Sequence, residues 1–282
     1  MDTLLRQLGY RNGTLIARYQ KALDDHSYPE GSTVREMILA DYVKLIRDAE
    51  RRSEALFDLR PKAPVEVRRI PAYAERNSAA NYAAPARDGS RPGRFNVPLV
   101  GPKFPRLGMR TLAYHEAVPG HHFQVALQQE DATLPRFRSD GIIREGNTAF
   151  GEGWGLYAEA LALENGWYDD DPPSKLGAVD AQLFRARRLV VDTGLHTKGW
   201  TRKQGIDYGI SAAEVERYVA NPGQACSYMI GQLKIQELRD RARRQLGERF
   251  SIKEFHNVVL RTGMVPLEVL EEVVDEHIRT KK

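Results

Sequence analysis

Three histidines and three glutamates are spaced so that they could hold a divalent metal and move a proton beside it. The first group is the stretch Tyr114-His-Glu-Ala-Val-Pro-Gly-His-His-Phe-Gln124. Hydrolysis at a bound zinc needs three deprotonated N or O ligands, a fourth position open to water, and a nearby carboxylate to take that water's proton. The single cysteine, Cys226, rules out an internal disulfide and a thiolate site, so the ligands must be histidine and carboxylate. In the usual His-Glu-x-x-His arrangement, two histidines four residues apart share one helix face with the glutamate beside them. Here Pro119 stands four residues after His115, and the next histidines are His121 and His122.

On an unbroken helix, His121 would point roughly 120° away from His115, and His122 would point back but lie about 10.5 Å further along the axis. Pro119 changes that geometry, because proline removes a backbone hydrogen bond and clashes with the preceding turn. Gly120 then permits an unusual backbone. The pair predicts a distorted helix whose bulge absorbs two residues and swings His121 back beside His115. The second group is Phe150-Gly-Glu-Gly-Trp-Gly-Leu-Tyr-Ala-Glu159, where Glu152 and Glu159 are seven apart and so share one helix face. One of them can complete the metal sphere while the other holds a ligand histidine in place.

The elements that must position these groups read as mainly helical. Thr33-Val-Arg-Glu36, Thr201-Arg-Lys-Gln204, Ser211-Ala-Ala-Glu214 and Ser251-Ile-Lys-Glu254 fit the capping-box pattern. Met37, Ile38, Tyr42, Leu45 and Ile46 follow Thr33 at helical spacing. Further helices are expected over Ser174–His196, over Gln224–Leu246 with Gly247 as terminator, and from about Pro266, which suits a first turn. Between Pro61 and Pro105 the rhythm breaks, with short β-type runs at Val65–Ile70 and Arg94–Val100 around the turn signal Asp88-Gly-Ser-Arg-Pro-Gly93. That predicts a small sheet just before the histidine helix. No linker divides the chain, so one domain over residues 1–282 is expected, with helices over 1–60, sheet and loops over 61–105, and the zinc-site and C-terminal helices over 106–282.

The composition narrows the function classes. Hydrophobic residues at 41% support a buried core, and the net charge of +4 comes largely from short arginine clusters of the kind that solvate helix faces. No aromatic-interleaved basic stripe, zinc knuckle or helix-turn-helix spacing points to nucleic acid. No apolar run approaches the roughly 18 residues of a membrane span, and a cytoplasmic location without membrane association is the expectation.

With these motifs in order, the chain resembles the bacterial family known as domain of unknown function 885, which carries His-Glu-x-x-Pro-Gly-His-His and Glu-Gly-Trp-x-Leu-Tyr-x-Glu. The resemblance extends through Asp88–Gly93, Arg187–His196, Glu216–Tyr218, Pro222–Gln224 and Met264–Leu267, covering roughly Pro71 to the C-terminus. That family is in turn similar to helical zinc peptidases whose third ligand is glutamate: carboxypeptidase Taq, thimet oligopeptidase, angiotensin-converting enzyme and dipeptidyl peptidase III. The resemblance implies a mainly α, gluzincin-like metallopeptidase fold with a small sheet beside the active-site helix. In the related enzymes the second histidine stands at i+4 or i+5, and an extension to i+6 favours His121 over His122. Carboxypeptidase Taq pairs its ligand glutamate with an acidic residue seven positions on, which favours Glu152 over Glu159.

By the same resemblance, Glu116 is implied as general base and proton donor, and Tyr228 or His196 as the group that holds the oxyanion. Arg188 and Arg217 are implied as binders of a substrate carboxylate, or else as partners of Asp192 or Glu216, with Gln224 beside them in the matching stretch. Family members run to about twice this length and many carry an export or lipoprotein signal, so a second copy or a partner subunit is expected to complete the cleft. The function implied is a Zn2+-dependent hydrolase of peptide or related amide bonds in short peptides or acylated amino acids. The alternative is a non-catalytic helical module that keeps a structural metal and acts through a protein interface.

Overall fold

The computed structural model describes residues 1–139 and 147–282, and among them the chain forms thirteen α-helices and one three-stranded sheet. The first elements are α1 (Asp2–Gln7), α2 (Leu15–Asp25), α3 (Val34–Ser53), β1 (Val65–Arg69), β2 (Asn81–Ala83) and β3 (Gly93–Val97). Then follow α4 (Met109–Glu116), α5 (His121–Glu130), α6 (Arg136–Ser139), α7 (Thr148–Glu164) and α8 (Ser174–Lys198). The chain ends with α9 (Arg202–Asp207), α10 (Ala212–Ala220), α11 (Gln224–Leu246), α12 (Ile252–Thr262) and α13 (Leu267–Lys281). No helix among the described residues is long and apolar enough to cross a membrane.

The chain divides into two compact units. One is built from Met1–Ala55, Arg60–Ala126 and Ala158–Asp180, the other from Leu56–Leu59, Leu127–Tyr157 and Ala181–Lys282. Each gathers three separate stretches of chain, which is why no linker is visible in the sequence.

In the first unit α3 buries Val34, Ile38, Tyr42, Ile46, Ala49 and Ser53, a stripe recurring every three or four residues. Met37, which the spacing also marked as apolar-facing, is instead 41% exposed. Tyr42 meets Phe95 of β3 edge-on at 5.0 Å, which seats α3 against the sheet. The strand order is β1-β3-β2, with β1 parallel and β2 antiparallel to β3. Both strands expected from the sequence are present. The three-residue β2 was not expected, because Asn-Tyr-Ala is too short to show an alternating pattern. Leu5, Ala22, Leu107 and Leu176 form a further core cluster.

In the second unit three of the four capping motifs act as expected. Thr201 and Gln204 form a reciprocal box, and Ser211 and Ser251 accept from the backbone N–H of Glu214 and Glu254. Thr33, in the first unit, makes no side-chain cap, since its backbone (φ −92°, ψ 1°) is not the extended form a cap needs. Gly247 ends α11 with φ +55°, and Pro266 is the N-cap of α13 rather than its first helical residue. Helices α7 and α11 touch through glycine. A Cβ on Gly153 would stand 2.4 Å from the Gly231 Cα, and one on Gly231 would stand 1.8 Å from the Ala149 carbonyl oxygen.

The second unit also buries a histidine. His256 stacks on Phe57 at 4.4 Å, and its Nδ1 donates to the Leu56 carbonyl at 2.8 Å. Its Nε2 therefore accepts from the Tyr157 hydroxyl at 2.8 Å. Burial pushes its pKa down to about 4. An imidazole in the unfolded chain protonates near 6.5, so unfolding takes up a proton that the fold refuses. The stability this group contributes is fully present above about pH 6.5 and is lost as the pH falls towards 4. Urea unfolding at pH 7 and pH 4.5 should show the native chain losing roughly 2 kcal/mol more than His256→Gln. Equal losses in the two proteins would contradict this assignment.

Candidate metal centre

Helix α4 is buried on nearly every side, which ties its polar groups to partners within the protein. Arg110 anchors it: Nη1 donates to the Trp167 carbonyl at 2.8 Å, and Nη2 reaches Asp170 at 2.9 Å. The helix stops at Glu116, residues Ala117–Gly120 form a turn, and α5 begins at His121. The expected distorted helix is thus two helices with a four-residue break, since a proline in this position denies the helix a backbone donor. Gly120 is needed for space rather than for a left-handed backbone, as it is not among the positive-φ glycines. A Cβ there would lie 1.9 Å from the His115 carbonyl oxygen. The fold-back places the His115 and His121 rings 4.7 Å apart at 82°.

His115 is buried, and its Nδ1 lies 2.8 Å from Glu159 Oε1. The other oxygen of Glu159 accepts from the Thr111 hydroxyl at 2.8 Å. A carboxylate this close to Nδ1 favours the tautomer that carries its hydrogen there, the form in which Nε2 is the ligating nitrogen. One ligand atom from each of His115, His121 and Glu152 lie within 4.8 Å of one another, with His115 buried and the other two half-buried. Two imidazoles and one carboxylate are a donor set suited to zinc. Glu152 and Glu159 of α7 differ accordingly: Glu152 belongs to the triad, and the buried Glu159 stands against His115.

The neighbouring His122 is turned elsewhere. Its Nδ1 lies 2.9 Å from the Tyr82 hydroxyl of β2, and its ring also bonds the Ala63 backbone. Burial pushes its pKa down to about 4, with the Ala63 bond opposing. Gly93 of β3 fits tightly here, since a Cβ would come within 2.6 Å of the Tyr82 hydroxyl and 2.9 Å of His122 Nδ1. His122 thus clamps the sheet and the preceding loop to α5. Nothing short-range in the sequence announces Tyr82 as its partner.

Glu116 is buried beside His115, and its charge adds to burial in raising the pKa of the Tyr42 hydroxyl. In the second unit, burial and then the Glu152 charge raise the pKa of Tyr228, which places that phenol in the field of the α7 carboxylate. The Gly153–Gly231 contact explains the closeness, as Gly153 follows Glu152 and Gly231 is one turn beyond Tyr228. The guanidinium of Arg188 lies 4.5 Å from the Tyr228 ring centroid and 4.3 Å from that of Phe184. Its Nη2 donates to Glu214 at 2.8 Å. Arg217 also donates to Glu214, at 3.0 Å, and to Gln224 at 2.5 Å. Both arginines therefore pair with Glu214, not with Asp192 or Glu216. Glu216 instead accepts from Arg202, and the buried Asp192 accepts from the Gly223 N–H. His196 Nδ1 lies 2.9 Å from Asp192 Oδ1, so Asp192 rather than the triad is its partner. The Cys226 thiol is pushed up to about 11 by burial, which makes it a poor nucleophile.

The split between adjacent histidines gives a direct prediction. In a chelator-competition titration, His121→Ala should weaken zinc binding by at least about 100-fold, whereas His122→Ala should change it less than about tenfold while lowering thermal stability. Equal losses of affinity, or a larger loss for His122→Ala, would contradict the placement.

No curated protein matches the chain. A solved structure from Colwellia psychrerythraea superimposes with a TM-score of 0.93 and 40% identity, over 99% of this chain and 49% of its own. One from Shewanella oneidensis gives a TM-score of 0.77 at 24% identity, over 96% and 52%, and that likeness is of fold alone. Both are described as a "putative lipoprotein", the second also as being of unknown function. The chain therefore spans about half the length of the solved relatives it matches. A family model described as bacterial protein of unknown function (DUF885) matches residues 1–274, so the similarity includes the N-terminal helices that precede the stretch of shared motifs. Since that match takes in almost the entire sequence, the protein belongs to the DUF885 family of bacterial proteins of unknown function.

Proposed function

We propose that the protein is a zinc-dependent hydrolase of peptide or related amide bonds in short substrates. The observation that carries this reading is the triad His115, His121 and Glu152, with Glu159 holding His115 from behind. When bound, zinc supplies a Lewis acid that polarises a carbonyl and brings the pKa of a coordinated water towards about 7. Glu116 follows His115 directly and is buried, so its carboxylate serves as the base that accepts the water's proton and returns it to the leaving amine. Tyr228, stacked under Arg188 and in the field of Glu152, is the group proposed to donate to the developing oxyanion. With both arginines committed to Glu214, their role in this proposal is to hold the α11 segment that carries Tyr228 and Gln224. His196 is assigned no step.

Short peptides and acylated amino acids are the proposed substrates. A second copy or a partner subunit is proposed to complete the cleft. The cytoplasmic location expected from the sequence also stands as a proposal. The lipoprotein description is said of the two relatives, and cell fractionation against an envelope marker tests the location.

The protein purified without chelator should hold about one zinc per chain and cleave members of a short-peptide library. Glu116→Gln should keep the metal and lower kcat by at least about 100-fold. If the zinc-loaded chain cleaves nothing across the library, the alternative of a metal-stabilised helical module acting through an interface takes the place of this reading.

A further inference from the structure

Thr111 stands one helical turn before His115 on the same face of α4, and both side chains meet Glu159 of α7. The Thr111 hydroxyl donates to Glu159 Oε2 at 2.8 Å, and Oε1 of the same carboxylate lies 2.8 Å from His115 Nδ1. Thr111 and Glu159 are 5% and 2% exposed, so water has almost no access to the pair. The proposed hydrolysis uses His115 and leaves Thr111 without a role.

A threonine inside a helix commonly turns its hydroxyl back to the carbonyl four residues earlier. Thr193 does so on Leu189 at 2.6 Å, Thr197 on Thr193 at 2.6 Å and Thr262 on Val258 at 2.7 Å. Thr111 departs from that habit, because its hydroxyl reaches off α4 to a carboxylate of another helix. The difference matters for a glutamate. The last torsion of its side chain is broad, so a carboxylate in contact with one partner alone can swivel. A bond to Oε2 from a β-branched side chain, itself stiff on its helix, fixes the plane of the carboxylate and turns Oε1 to the His115 ring. Groups that hold a ligand histidine govern how tightly a metal is bound, typically by about 10–100-fold.

We propose that Thr111 is a positioning residue of the candidate metal centre: its hydroxyl fixes the Glu159 carboxylate on His115 and thereby sets the affinity of His115, His121 and Glu152 for zinc. The inference rests on the reading of those three residues as a zinc site. The determinant is the hydroxyl rather than the bulk of the side chain, and it acts through Glu159.

Chelator competition on the full chain, with zinc alone as the probe and below the onset of melting, tests it in Thr111→Val and Thr111→Ser. Valine keeps the shape and removes the hydroxyl, whereas serine keeps the hydroxyl. Thr111→Val should weaken zinc binding by about tenfold or more, and Thr111→Ser should stay within about threefold of the native chain. Thr111→Ala, which also lacks the hydroxyl, takes the place of the valine variant if that one does not fold, with the same loss expected. A purely structural threonine would lower the melting temperature of the metal-free chain and leave zinc affinity where it was, and that result would overturn the proposal. So would an equal loss of affinity in the serine variant. Failure of the native chain to bind zinc would remove the metal centre itself, and the proposal with it, a result visible before any variant is made.

Discussion

The contact between Gly120 and the carbonyl of His115 is the constraint on which the candidate centre depends. Only a residue without a Cβ can pass that close to the end of α4, and the close passage lets α5 start directly beside the helix it has left. The direction in which each histidine of the His-His pair points follows from it. His121 comes to rest against His115, and His122, one residue and about 100° further round the new helix, turns to Tyr82. A motif that looks badly spaced on one helix becomes workable on two.

The rest of the centre is built by burial. Helix α7 is covered along most of its length, so Glu152 and Glu159 cannot both be solvated surface groups. Glu159 accepts from Thr111 and stands 2.8 Å from His115 Nδ1, whereas the half-buried Glu152 has a carboxylate oxygen within 4.8 Å of the two histidines. The glycine contact with α11 brings Tyr228 into the field of Glu152, and the Arg188–Glu214 pair fixes the ring from its other side. His115 and Tyr228, two of the groups the proposed chemistry uses, are thus each backed by a second residue that limits their motion.

Much of this was legible in the sequence because the information is local. His115, Glu116 and His121 lie within seven residues, and Glu152 and Glu159 are related by helical repeat alone. Helix starts such as Ser211 and Ser251 declare themselves three residues ahead, and Gly247 marks its own helix end. What could not be read depends on distant partners. Tyr82 reaches His122 across forty residues, and His256 finds its carbonyl at Leu56 two hundred residues away. The partner of Arg188 and Arg217 is Glu214, which the sequence presents first as half of a capping motif. Gly120 is visible in the sequence as a backbone exception, but a sequence shows that glycine is present and not that the His115 carbonyl leaves no room for a Cβ. The division into two units was equally hidden, since each is assembled from three separate stretches.

The central claim is that a metal sits on His115, His121 and Glu152. It is tested most directly by anomalous diffraction at the zinc edge from crystals of the zinc-loaded protein. The account predicts one strong peak within bonding distance, about 2.0–2.2 Å, of a nitrogen of each histidine and an oxygen of Glu152, with Glu159 still on His115 Nδ1. A peak bonded to His122 or Glu159 instead, or no peak at the triad, would contradict it.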